Sequence, residues 1–238
     1  MGIYEKTIGI IVPSAGTASE IAYHTYVPKE IAVATARVKF NQISYQDLTE
    51  MIDVVKFTAE NICATDPDVI VFGSMMASCI SGAAIRNIIE QHTGIPCITT
   101  FRSLVKVLDR FGYRNLAVVS ALSNELGLLL KTNLQKYGVE RCEVKTLYKD
   151  GQTPYLSIKE IESIPYESIY RAAKSMDLTG FDAVLFDSSG LQGMDRIPEL
   201  EAELGLPVLF ADQYTLWHAL RTIGVDAKLP HLGKIFEY

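Results

Sequence analysis

Two serines occupy matching places in this 238-residue chain. Ser74 ends the run DVIVFGS (68–74) and Ser188 ends DAVLFDS (182–188), with aspartate, phenylalanine and serine in the same columns 114 positions apart. A serine hydroxyl at a strand tip can attack an electrophile or pass a proton. It does either only beside a general base, because it stays protonated near neutrality. Asp187 precedes Ser188, but neighbouring strand residues point to opposite faces, so its carboxylate is expected in solvent or against a helix. His218, in TLWHALRTIG, could complete a Ser–His pair, yet neither serine lies in a G-x-S-x-G elbow. Serine is also a favoured helix N-cap, which is the plainer role for each residue taken singly.

The other reactive side chains argue for packing. Cys63, Cys79, Cys97 and Cys142 show no C-x-x-C spacing and lie in or beside apolar segments, where a free cysteine is usually a small buried hydrophobe. The four histidines make no metal-ligand pattern, so neither a metal nor any other cofactor is expected. Glu20, Tyr23, His24 and Tyr26 read as a polar, aromatic loop after the first strand that could fold over a cleft.

Short apolar runs must position the serines. Strands are predicted at 7–12, 33–40, 69–72, 97–99, 116–119, 141–147, 183–186 and 208–210, with amphipathic helices between them. Ser44 heads one helix (SYQD), with Leu48, Met51, Ile52, Val55 and Ile62 on one face. Asn124 is expected to cap NELGLLLKTNLQKYG, which stops at Gly138, and Pro165 is placed at the first position of a later helix. Continuous apolar strands alternating with helices argue for α/β architecture with parallel sheets covered on both faces. The alternation repeats. IGIIVPSAG (8–16) answers LAVVSALSN (116–124), GIPCITT (94–100) answers GLPVLFA (205–211), and SLVKVLDRFGY (103–113) answers TLWHALRTIGV (215–225). Four matches in one order, at offsets of 108 to 114, describe two similar halves. Ligands of open parallel sheets sit beyond the carboxyl ends of the strands, so two halves facing each other put Ser74 and Ser188 on opposite walls of one cleft.

Composition narrows the partners. Hydrophobic residues make up 48% and charged residues 21%, enough to bury a sizeable core. The net charge of −6, with no two basic residues adjacent, argues against nucleic acid or an anionic membrane surface. No apolar run is long enough for a signal peptide or a membrane span, and a cytoplasmic protein is expected.

The motifs IGIIVPSAGT (8–17), DVIVFGSMMASCISG (68–82), GIPCITT (94–100), FDSSGLQGMDRIPELEAELGLPV (186–208) and WHALRTIGVDAK with GKIF (217–236) resemble the aspartate/glutamate racemase superfamily. The similarity is greatest to its branch of arylmalonate decarboxylases and maleate cis-trans isomerases. The resemblance implies two pseudo-symmetric Rossmann-like halves, each a short parallel sheet flanked by helices, with the active site between them. One half is expected from 1–100 plus 214–238, with the C-terminal helix crossing back, and the other from 101–213. It implies cofactor-independent chemistry at the α-carbon of a small carboxylate, and association of copies through exposed apolar helices.

The family's two reactive cysteines fall on Ser74 and Ser188. Its carboxylate-binding tyrosine falls on Leu122, the asparagine of many isomerases on Gly16, and paired hydroxyl residues of the decarboxylases on Met75 and Met76. The implied substrate-binding set is Pro13, Ser14, Gly16, Met75, Met76, Leu122, Ser189 and Gly190, with Ser74 and Ser188 as the catalytic pair. Backbone amides of 13–17, 74–77 and 188–190, each expected to precede a helix, would bind the anion. Without thiols, two-base racemisation suffers most, isomerisation through a covalent adduct next, and decarboxylation through an enediolate-like intermediate least. Three readings follow: a serine-using decarboxylase or isomerase, a Cys-to-Ser form of a cysteine enzyme, or a non-catalytic binder of small carboxylates.

Overall fold

The computed structural model describes residues 4–40 and 42–237. The chain begins β1 (Lys6–Pro13), α1 (Ala18–Tyr26), β2 (Ile31–Val38), α2 (Tyr45–Cys63), β3 (Val69–Phe72), α3 (Met75–Thr93), β4 (Cys97–Thr99) and α4 (Thr100–Phe111). It continues β5 (Asn115–Ser120), α5 (Asn124–Lys136), β6 (Arg141–Thr146), α6 (Ile158–Glu162), α7 (Tyr166–Lys174), β7 (Ala183–Phe186), α8 (Ile197–Leu204), β8 (Val208–Phe210) and α9 (Ala211–Thr222). These strands form two four-stranded parallel sheets in the same order, β2-β1-β3-β4 and β6-β5-β7-β8. Strands β3 and β7 are wholly buried, as helices on both faces require. Edge strand β6 instead exposes Arg141 and Glu143, charges that discourage further pairing. The helices that close the two repeats, α4 and α9, pack on each other. No helix among the described residues is long and apolar enough to cross a membrane.

The repeated aspartates have one job. Asp68 Oδ2 accepts the Thr7 amide (2.8 Å) while the Asp68 amide donates to the Thr7 carbonyl (2.8 Å). In the second half Asp182 Oδ2 accepts the Asn115 amide (2.7 Å), and the Asp182 amide donates to the Asn115 carbonyl (2.8 Å). Each carboxylate thus satisfies an amide at the open end of the sheet and fixes the register of one central strand on the other. The other repeated polar groups also match. Glu90 accepts the Cys97 amide (3.1 Å) and Glu201 the Val208 amide (3.0 Å), each clipping a helix to the strand that follows it. Gly94 and Gly205 end those helices with φ of 71° and 70°, a conformation costly for any residue with a Cβ.

All eight predicted strands are present, with ends shifted by up to two residues. The β2 strand runs 31–38 because its pairing starts at Lys6↔Ile31. Three local expectations are corrected. Ser123, not Asn124, caps α5 by accepting the Leu126 amide (3.4 Å); the Asn124 side chain is engaged by the Tyr148 hydroxyl. Pro165 is itself the cap of α7, since its ψ of 140° is extended. The stretch holding Glu20, Tyr23, His24 and Tyr26 is helix α1 rather than a loop; Tyr23 is buried in the core and Glu20 pairs with Arg37.

Asp182→Ala should cost about 2 kcal/mol in urea denaturation, because it leaves the Arg114 and Asn115 amides unpaired in a half-buried place. A loss below about 0.5 kcal/mol would mean that the carboxylate does not hold the register.

Candidate active site

The strand tips meet in a narrow cleft with a cavity volume of about 30 Å³. Pro13 at the end of β1, then Gly73, Ser74, Met75 and Met76 where β3 turns into α3, form one wall. Leu122 after β5 and Asp187, Ser188 and Ser189 after β7 form the other. Phe40, Ile43 and Leu48, around the start of α2, and Ile158 and Ile161 of α6 complete the lining. Ser74 and Ser188 therefore share one cavity, and each is almost fully buried (8% and 6% exposed). Ser74 stands at the N-cap position of α3 but makes no capping bond, which leaves its hydroxyl and the first helical amides without a side-chain partner in the helix start.

Pro13, Ser74, Met75, Met76, Leu122, Ser188 and Ser189 line the cleft; Ser14, Gly16 and Gly190 do not. Ser14 is exposed, and its carbonyl accepts Arg37. A side chain at Gly16 would meet Ile158 (3.2 Å) and Glu162, so that position is a packing contact beneath α6. Gly190, with φ of 90°, turns the chain away; it faces a neighbouring hollow lined also by Thr17, Tyr26, Glu162 and Asp212.

Two of the three amide loops also differ from expectation. In 13–17, the Ser14 amide donates to Val38 and that of Gly16 to Pro13. The Glu162 carboxylate accepts the Thr17 amide (2.7 Å), the Ala18 amide (2.9 Å) and the Thr17 hydroxyl (3.0 Å). The start of α1 is thus already occupied by a carboxylate of the chain's own. Residues 188–190 precede no helix directly, since α8 begins at Ile197 after a short turn. The N-terminus of α3 is the one of the three that retains the expected form.

Asp187 is the principal correction. Rather than standing in solvent apart from Ser188 it is completely buried, and the Ser188 hydroxyl donates to its Oδ1 at 2.8 Å. The β7 strand stops at Phe186, so the alternation of strand faces no longer governs residue 187. Burial pushes its carboxyl up to about 6, opposed by the nearby Ser120 hydroxyl, the Ser188 hydroxyl that donates to it and the nearby Ala121 amide. Its Oδ2 has no hydrogen-bond partner among the described residues, and neither has the buried Ser189 hydroxyl.

The alternative reactive groups lie elsewhere. His218 Nδ1 is 2.9 Å from the Ser103 hydroxyl, and burial, with Arg102 and Lys106 nearby, holds it down at about 4. No cysteine lines the cleft; burial pushes Cys79 and Cys142 up to about 11 and Cys97 higher still. Sequence reasoning missed the α6 roof, although Ser157-Ile158-Lys159-Glu160 has the spacing of a capping box. Ser157 accepts the Glu160 amide (3.3 Å) and its hydroxyl donates to the Glu160 carboxylate (3.1 Å).

Comparison with known proteins agrees with this architecture. A family model described as arylmalonate decarboxylase matches residues 8–236. Maleate isomerase of Alcaligenes faecalis is 20% identical over 97% of this chain and 96% of its own. Arylmalonate decarboxylase of Bordetella bronchiseptica is 25% identical over 65% of this chain and 63% of its own. Among solved structures, a cysteine-to-serine mutant of Nocardia farcinica maleate cis-trans isomerase with a covalently bound succinylcysteine intermediate superposes with a TM-score of 0.86. It is 19% identical, and 98% of each chain is covered.

Asp187→Asn should raise the melting temperature at pH 7.5 and leave it nearly unchanged at pH 4. The folded carboxyl titrates near 6 and an unfolded one near 3.9, so the folded state holds the extra proton between those values. Stability therefore falls as pH rises through that window, and asparagine removes the fall. A variant destabilised equally at both pH values would show that the carboxyl is not buried at a cost.

Proposed function

The chain belongs to the arylmalonate decarboxylase family, and on that premise we propose that its cleft carries out carbon-acid chemistry on a small mono- or dicarboxylic acid, decarboxylation before isomerisation or racemisation. The observation that carries this reading is the lining. Two buried serines from opposite walls enter a cavity otherwise walled by Met75, Met76, Leu122, Ile158 and Ile161, with no thiol in reach.

Each competing reaction needs something this lining lacks. The Nocardia isomerase forms a succinylcysteine, and no cysteine here faces the cleft to form its equivalent. Racemisation needs a base on each side of the α-carbon, and an unassisted serine hydroxyl is a poor one. Decarboxylation needs no base for the bond that breaks. The carbon–carbon bond cleaves, its electron pair moves into the remaining carboxylate to form an enediolate, and carbon dioxide departs. An apolar wall favours that departure by stripping water from the leaving carboxylate. The first amides of α3 and the Ser74 and Ser189 hydroxyls supply donors for the retained carboxylate. A hydroxyl at a strand tip then stands beside the carbon that must be protonated.

The alternative is a binder of small carboxylates on the same scaffold, and turnover separates the two. The parent protein and its Ser74→Cys/Ser188→Cys double variant are incubated in deuterium oxide with arylmalonates, alkylmalonates and maleate. Release of carbon dioxide and deuterium at the α-carbon are followed. The parent should decarboxylate a malonate. The double variant should gain exchange at the α-position of the monoacid product by about 10²–10⁴-fold, the usual yield of general acid–base catalysis, because thiols work near neutrality. Saturable binding of these acids by the parent without turnover of any of them would establish the binder instead.

A further inference from the structure

We propose that Asp187 and Ser188 form a proton relay, in which the buried carboxylic acid of Asp187 re-supplies the proton that the Ser188 hydroxyl delivers to the α-carbon. This rests on the functional reading above and gives the serine the partner it requires. Serine replaces a thiol usefully only if a neighbouring group can take or give its proton, and one such group is 2.8 Å from Ser188 Oγ.

The surroundings of Asp187 favour its neutral form. It is fully enclosed. The groups that act on its carboxyl or feel its charge are the Ser120 hydroxyl at the end of β5, the Ala121 amide, Tyr214 of α9, Cys79 of α3 and Cys142 of β6. The phenol and both thiols are themselves pushed up, chiefly by burial, and so remain protonated at neutral pH. No lysine, arginine or histidine is among the groups that shift Asp187. A carboxyl buried without a cation keeps its proton to higher pH, and here it titrates near 6. Both Asp187 and Ser188 line the cleft, and Asp187 Oδ2 has no partner, so its second oxygen is uncommitted when Oδ1 engages the serine.

The proton count closes. Decarboxylation leaves an enediolate whose electron pair forms a new C–H bond with the Ser188 hydroxyl proton. As that proton leaves, Ser188 Oγ takes the proton of the Asp187 carboxylic acid. The product is the monocarboxylate, serine is neutral again, and Asp187 is a carboxylate accepting the serine hydroxyl, which is the hydrogen bond observed. As product leaves, one proton taken up from bulk solvent per turnover restores the acid. Asp187 acts through Ser188 and is a positioning and proton-supplying residue rather than one that touches substrate.

Two measurements test the relay. In the free protein, a carboxyl-¹³C titration should place Asp187 near 6 and move it higher in Ser188→Ala, which removes a hydrogen bond to the charged form. Titration in the ordinary range of exposed aspartates would overturn the relay whatever the turnover. On an acid that the parent decarboxylates, kcat should be level below pH 6 and fall above it, following the protonated carboxyl. Asp187→Asn should lower kcat by about 10²-fold or more and abolish that fall, and Asp187→Asn/Ser188→Ala should lose little beyond either single change. If Asp187→Asn keeps kcat within about threefold and the parent's pH profile, the relay is wrong while the decarboxylase reading stands. If the parent turns over no acid, that reading falls and takes the relay with it.

Discussion

The carboxylates of Asp68 and Asp182 decide where the central strands end, and everything at the site follows from that. Each binds an amide of the neighbouring central strand at the start of the sheet, through equivalent atoms in the two halves. With the start fixed, four buried residues bring Phe72 and Phe186 to the far edge, and the next turn of chain delivers Ser74 and Ser188. A slip of one residue would turn every buried side chain of β3 or β7 to the other face, which a sheet covered on both sides cannot accept. The serines are thus held by backbone hydrogen bonds more than a strand's length away, and the chemistry can change without disturbing the frame. A solved structure only 19% identical to this chain shares the fold over 98% of both chains.

The cleft is lined mostly by apolar side chains, and its enclosure depends on α6 reaching over from the second half. Helix α6 is only five residues long, yet Ile158 and Ile161 form part of the lining. Its hold on the far side is polar. The Ile43 amide donates to the Leu156 carbonyl (2.8 Å), and Glu162 satisfies the start of α1. A carboxylate at a helix N-terminus is favourable by charge as well as by hydrogen bonding, so the roof is fastened where α1 most needs a cap. The same enclosure raises Asp187 and makes it costly to ionise. Stability is given up at neutral pH for a carboxyl that keeps its proton up to about pH 6.

Much of this was legible in the chain. The internal repeat predicted two like sheets, continuous apolar runs predicted parallel strands, and Gly138 marked the end of α5. The two serines could be placed together because their strands were equivalent. What escaped were features that depend on a few atoms or on distant residues. Asp187 was misdirected because strand alternation was carried one residue past the end of β7. The amides of 13–17 looked open because nothing local announces Glu162, 145 positions away from Thr17. Gly16 and Gly190 were placed in the site by resemblance, whereas Gly16 packs beneath Ile158 and Glu162 and Gly190 faces the neighbouring hollow beside Glu162.

The central claim is that a small carboxylate binds between Ser74 and Ser188, at the start of α3. Amide chemical-shift mapping during titration with phenylmalonate or maleate tests it most directly, because it needs neither turnover nor a substituted side chain. The account predicts saturable shifts of Met75, Met76 and Ala77 together with Ser188 and Ser189, from both walls on one binding curve. Saturable shifts confined to other residues, with these five unmoved, would contradict it.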